Sequence, residues 1–252
     1  MSKLVALALA ALLPGAALAQ EKLSGTNQDT RIGLAFKVPD ATIRKLLPSG
    51  WEANPPTSGP ARGANLNLVL VDSVSAQDAE GKPVTPNRGI ALVIPAKKTG
   101  SDAAGPMVVG GLFAPHYAPG AYGVFLPAKV SIERKVHSDP EGKATVDETW
   151  DLRGEDGHSI HIRVAYVRGT PARSKTEAKV YSGTKPDYFR IYRVEQGSDV
   201  ARSTETGVDR VSAFSLKASG PKLSPLHDGS AQLVAVTAIP WYSRSVHVVP
   251  GL

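Results

Sequence analysis

Arg134 and Glu148 have the types and placement that could do chemistry, because strand alternation puts both on faces that are otherwise apolar. Over 123–136 the alternation places Val130, Ile132, Arg134 and Val136 on one side and Lys129, Ser131, Glu133 and Lys135 on the other. After a turn at 139–143 the next strand shows Val146, Glu148, Trp150 and Leu152 on its apolar side. Matching the apolar faces sets Val136 against Val146, Ile132 against Trp150 and Arg134 against Glu148. A charge on such a face must be paired or must look into a cavity. The guanidinium could hold a ligand carboxylate while Glu148 moves a proton, or the two could simply neutralise each other. Arg134, Glu148 and Trp150 are therefore candidate binding residues.

Other familiar chemistry is missing from the sequence. His158 and His161 are three apart in a strand-like segment, so they point to opposite faces and make a poor metal pair. There is no Gly-x-Ser-x-Gly elbow, phosphate loop or dinucleotide fingerprint, and no cofactor or metal is expected. Gly105, Gly110 and Gly111 lie inside a strand-like run, where close backbone approach or a bulge explains them. The chain has no cysteine, which excludes disulfides, thiol nucleophiles and thiolate metal sites. Its formal charge of +6 favours acidic partners, but acidic and basic residues are interspersed without a basic run. Nucleic-acid binding is not expected, whereas a small-molecule ligand is.

These residues must be positioned by strands. Twenty-four glycines and 20 prolines punctuate short segments rich in Val, Ile, Leu and Tyr, the texture of a mainly β, antiparallel protein. Strands are predicted at 31–38, 65–74, 88–95, 106–113, 123–136, 144–152, 159–167, 187–194, 210–217, 232–239 and 242–249. The segments 55–63, 77–86 and 219–229 read as loops. One short helix is predicted at 40–47, capped by Asp40, with Ile43, Leu46 and Leu47 as its apolar face and Pro48-Ser49-Gly50 as its stop. At the N-terminus Lys3, the apolar run from Leu4 to Leu13, and Ala17-Leu18-Ala19 have the three parts of a secretory signal. The run is too short for a bilayer, which needs about 20 apolar residues, so no transmembrane span is expected. The expected organisation is a signal peptide at 1–19, an N-terminal tail at 20–29 and a single domain at 30–252, periplasmic or secreted after cleavage near Ala19. Nothing in the sequence sets an oligomeric state.

Three segments, in order, resemble the acetoacetate decarboxylase superfamily. Val38-Pro39-Asp40 with the following Ile43–Gly50 stretch is similar to that family's short helix ending in Leu-Pro. Gly89–Pro95, GIALVIP, resembles the strand that carries the family's active-site Glu, and Gly120–Val130, GAYGVFLPAKV, resembles its Gly-x(6)-Pro-Lys-Lys strand. The resemblance implies an antiparallel β-barrel or cone around a small-molecule cavity, with one short N-terminal helix. It also implies that Tyr122, Ala128 and Lys129 border the site. In the family the first lysine of the pair forms an imine with a keto acid and the second depresses its pKa. Here Ala128 stands in the first lysine's place, Lys129 points to the opposite face, and no acid occurs near Ile90–Ala91. The expected function is binding of a small carboxylate-bearing or apolar molecule. Catalysis is open, and any activity would be that of a decarboxylase-like carbon–carbon lyase with Lys129 as the candidate catalytic residue. A non-catalytic envelope interaction protein with a filled barrel is the further alternative. Protein recovered from the compartment to which the native host exports it should begin at or next to Gln20 by N-terminal sequencing; a retained Met1 would contradict the export reading.

Overall fold

The computed structural model describes residues 20–251, so the export signal predicted at 1–19 lies outside the described residues. The chain begins with β1 (Lys22–Lys37), α1 (Asp40–Leu46), β2 (Trp51–Ala53), β3 (Leu66–Asp78), β4 (Arg88–Lys98) and β5 (Ala104–Phe113). A meander follows: β6 (Leu126–Ser138), β7 (Ala144–Gly154) and β8 (Ser159–Val167). The remainder is β9 (Ala172–Ser182), β10 (Phe189–Ser203), β11 (Val208–Asp209), β12 (Val211–Ser219), a 3-10 turn at Pro221–Leu226, and β13 (Gln232–Val248).

The pairings close a ring. β1 bonds to β3, β3 to β4, β4 to β5, β5 to β9, β9 to β10, β10 to β13, and β13 back to β1. A second layer of β6, β7, β8 and β12 hangs from β5 through a short parallel pairing, Leu112 with Leu126 and Phe113 with Pro127. The architecture is thus the mainly β barrel expected, antiparallel except where β5 meets β6 and β9.

Strand alternation gives each ring strand two fates. Ile32, Leu34, Leu68, Leu70, Ile90 and Leu92 face outward and are essentially inaccessible. They share one core with Val146, Trp150, Leu152, Ile160, Ile162 and Val164 of the second layer. Each fully buried side chain of this size contributes roughly 1.5–3 kcal/mol, so this shared core is what holds the two layers together. The opposite face of the same strands looks into the ring.

Arg134 pins the layers electrostatically. Its Nε and Nη2 donate to Glu148 Oε2 and Oε1 at 2.7 and 2.9 Å, Nη2 also reaches Thr30 Oγ1 at 3.1 Å, and Nη1 reaches Asp72 Oδ2 at 3.3 Å. Glu148 accepts a further bond from Trp150 Nε1 at 2.7 Å and is 2% exposed. The register opposes Arg134 to Glu148 and Ile132 to Trp150, as face matching requires. Hydrogen bonding to Glu148, more than its charge, holds the Arg134 guanidinium above the usual arginine value.

Several boundaries differ from the sequence-based expectation. Pro39, not Asp40, occupies the helix N-cap position, and α1 has no side-chain cap; the Asp40 carboxylate instead accepts from Lys37 and Asn65. β1 starts at Lys22, within the segment read as a tail, because β3 and β13 pair with it there. The two predicted C-terminal strands are one: Pro240 falls in a register shift between Ile239 and Tyr242, where the ladder needs no N–H. β9 is absent from the strands predicted above because its alternate positions Arg173, Lys175, Glu177 and Lys179 are charged and it lacks the apolar run that marks a strand. These form its outer face, where Arg173 and Lys175 pair with Glu195 and Glu177 pairs with Arg193.

Removing Arg134 leaves the buried Glu148 carboxylate with Trp150 alone among its side-chain partners. Arg134→Ala is expected to lower stability by about 2–4 kcal/mol, read as a shifted urea midpoint; an unchanged midpoint would show that Glu148 does not depend on the pair.

Candidate functional site

The ring encloses a cavity of about 650 Å³. Its apolar wall is formed by the inward residues of neighbouring strands, including Val69, Val71, Ala91, Val93, Val108 and Val180. One end is covered by residues 114–125, which connect β5 to β6 and contribute Tyr117, Tyr122 and Phe125. Gly120 makes this cover possible. Its φ of 70° is costly for residues with a Cβ, and a Cβ there would lie 2.6 Å from the Phe125 ring. Ser182 and Thr184 hydroxyls then donate to the Tyr122 carbonyl at 2.7 and 3.0 Å, fixing its place.

The opposite wall is polar and cationic. A cross-strand row runs Thr176, Val194, Arg244, Asn27 and Ala76, and the neighbouring row places Gln196, Tyr242, Asp29 and Ser73 together. Arg244 Nε donates to Asn27 Oδ1 at 2.8 Å, and the Asn27 amide in turn donates to Asp29 Oδ1 at 2.5 Å. Asp29 is engaged by Arg31, whose Nε donates to Oδ2 at 2.9 Å and whose Nη2 donates to the same oxygen. The Arg31 guanidinium lies 3.5 Å from the Tyr242 ring centroid, and that of Arg244 lies 4.2 Å from the Tyr192 centroid. Such stacking supports charge where water is scarce.

Arg244 and Arg190 are the two guanidiniums of this wall without a carboxylate partner among the described residues. Burial disfavours the charge on Arg244, but nearby acidic groups, Asp29 among them, outweigh it and hold the group above the usual arginine value. Like any guanidinium, Arg244 is a permanent cation, and its two Nη groups donate to no protein acceptor among the described residues. Arg190 donates one Nη to Ser24 Oγ at 2.5 Å, while its buried Nε has no partner.

Two phenols of the site are driven towards the neutral form. Tyr122 and Tyr192 hydroxyls are hydrogen-bonded at 2.5 Å. Burial, followed by the neighbouring Tyr192, pushes Tyr122 well above the usual tyrosine value, and the same two causes raise Tyr117, with Arg244 and Arg190 working in the opposite direction. The arrangement can therefore offer hydrogen bonds and positive charge to an anion. Among the described residues no cluster of three or more His, Asp or Glu is placed to hold a metal.

Of the sequence-predicted site residues, Tyr122 alone lines this cavity. Arg134, Glu148 and Trp150 lie between the ring and the second layer, on the outer side of β1 and β3. Their apolar face points at the barrel wall rather than into the barrel, so the pair acts as a structural clamp. Ala128 is 3% exposed and belongs to the same interlayer core. Lys129 is exposed and stands opposite Arg153 in the second layer. No lysine lines the cavity among the described residues. The cavity's own polar residues, Asp29, Arg31, Arg190, Tyr192, Tyr242 and Arg244, were not singled out from the sequence. Their signal was an aromatic residue two positions from an arginine, at Arg190/Tyr192 and Tyr242/Arg244, on the less apolar face of each strand. The close approach inferred for the glycine-rich strand is present: a Cβ on Gly111 would lie 2.1 Å from the Ile90 carbonyl oxygen.

No protein-family model matches the sequence, and no curated protein matches it either. The architecture does match solved structures. An acetoacetate decarboxylase-like enzyme from Sphingomonas wittichii RW1 superposes with a TM-score of 0.51 at 12% identity, covering 95% of this chain and 96% of that one. The enduracididine biosynthesis enzyme MppR, solved with the condensation product of pyruvate and imidazole 4-carboxaldehyde, gives 0.52 at 10% identity, covering 98% and 95%. At this identity the likeness defines the fold: the chain has the acetoacetate decarboxylase-like fold over nearly its whole length.

Tyr166, in the second layer, is also pushed up, to about 12, by burial and then by Glu148. Unfolded tyrosines titrate near 10, so the unfolded chain releases these protons first. Stability held by the buried phenols is complete below about pH 10 and falls as pH rises towards the folded values. Urea midpoints should decline from about pH 10 upward, and less steeply in Tyr166→Phe; identical slopes in the two proteins would contradict the assignment.

Proposed function

We propose that this protein is exported and binds a small carboxylate with an apolar body inside the ring. Export is supported by the charged, apolar and Ala-x-Ala succession at the N-terminus. The observation that carries the binding reading is Arg244. A half-buried, permanently charged guanidinium with free Nη donors and no carboxylate partner among the described residues is complementary to an anion. The valine wall opposite suits hydrocarbon, so the cavity offers a polar, cationic wall to a carboxylate and an apolar wall to its body.

A cavity of about 650 Å³ argues against the filled barrel of a purely structural envelope protein. Lyase chemistry through an imine is not favoured. Lys129 is exposed on the second layer, outside the ring, and no lysine lines the cavity among the described residues. The enzymes that share the fold lend this chain no activity by that likeness.

Isothermal titration with octanoate should give saturable binding. Arg244→Gln removes one charge-assisted contact and should weaken it by at least about tenfold, while Lys129→Ala leaves it unchanged. Loss of binding in Lys129→Ala with retention in Arg244→Gln would overturn the proposal and restore the lysine-centred alternative.

A further inference from the structure

The cavity holds two separate anion-binding groups, and we infer that its preferred ligand is a dicarboxylate: one carboxylate at Arg244 and the other at Arg190. This rests on the carboxylate-binding reading above. Three arginines line the cavity, and only Arg31 has its charge taken up, by Asp29. The other lining acid, Asp78, accepts from the amides of Glu80 and Lys82 in its own turn and reaches neither remaining arginine. One monocarboxylate would leave the second cation uncompensated.

Register keeps the two groups apart. Arg190 opposes Val180 on β9, whereas Arg244 opposes Val194 on β10. Arg190 and Val194 are four residues apart on one strand, about 13 Å at the rise of an extended chain. Tyr192 lies between them on the same face, with its ring beneath Arg244 and its hydroxyl on Tyr122. Both arginines nevertheless line the same cavity, together with Tyr117 and Tyr122. Each also has donor capacity left: both Nη groups on Arg244, and the buried Nε on Arg190, a polar atom that seldom goes unsatisfied without a reason. Asn27 and Ser24 hold the two side chains by one bond each, which orients them without neutralising them. An extended diacid would pair at both ends and lay its methylenes along the valine wall.

The test compares suberate with octanoate, which have the same chain length, by isothermal titration against the full mature protein. Suberate should bind at least about tenfold more tightly, since a second charge-assisted contact is worth that much. Arg190→Gln and Arg244→Gln, each checked for an unchanged thermal transition, should each erase the difference between the two ligands. Equal affinities in the wild-type protein would overturn the dicarboxylate inference and leave the carboxylate reading standing. If neither ligand binds, both readings fail. If a variant does not fold, the wild-type comparison still decides.

Discussion

Closing seven strands into a ring forces a choice on every residue in them: pleated strands send alternate side chains to opposite sides, one into the ring and the other, over β1, β3 and β4, against the second layer. Outward residues meet the second layer in a close-packed core, and inward residues bound a cavity. On β1 the same run that supplies Ile32 and Leu34 to the core supplies Asn27, Asp29 and Arg31 to the interior. A slip of one residue in this strand would put three polar side chains against Trp150 and the leucines, so register and site chemistry are one constraint. The interlayer core and the Arg134–Glu148 clamp fix that register from outside the ring.

Within the ring, the costly item is the charge on Arg244. Desolvation opposes it, and the chain offsets this with aromatic faces and hydrogen-bond acceptors rather than with a neutralising carboxylate. Asp29 could have served, but Arg31 holds it, and Asn27 stands between Asp29 and Arg244 as an amide that accepts from one side and donates to the other. The result is an oriented cation on the cavity wall with donors left over. Neutral phenols around it add hydrogen-bonding capacity without adding negative charge that would repel an anion. Such preorganisation lowers the ordering cost of binding, because the receptor groups already stand where they are used.

Much of the fold could be read in the sequence, because period-2 alternation and turn residues are local signals. The β6–β7–β8 meander, with Arg134 opposite Glu148, follows directly from matching apolar faces. β9 did not, since its inner residues are as small as Thr176 and Ala178 and its outer face is charged; only the neighbours β5 and β10 make it a strand. The cavity was hidden for a related reason. Reading the apolar face as the inside is correct for a sandwich, but this ring has its hydrocarbon core on the outside and its mixed face within. That inversion moved attention to Arg134 and Glu148, which brace the wall, and away from Arg190 and Arg244, which look through it. Tyr122 was legible only through its segment's resemblance to a known strand. Which strands become neighbours around a closed ring is a long-range property, and neither spacing nor composition encodes it.

The central claim is that the interior of the ring, not the interlayer face, is the binding site, and that Arg244 receives the anion. A crystal structure of the mature protein with octanoate tests this most directly. The account predicts the carboxylate within about 2.7–2.9 Å of an Arg244 Nη group, with its hydrocarbon against Val69, Ala91 and Val108. A carboxylate bound at Arg134 or Lys129, with the ring interior unchanged, would contradict it.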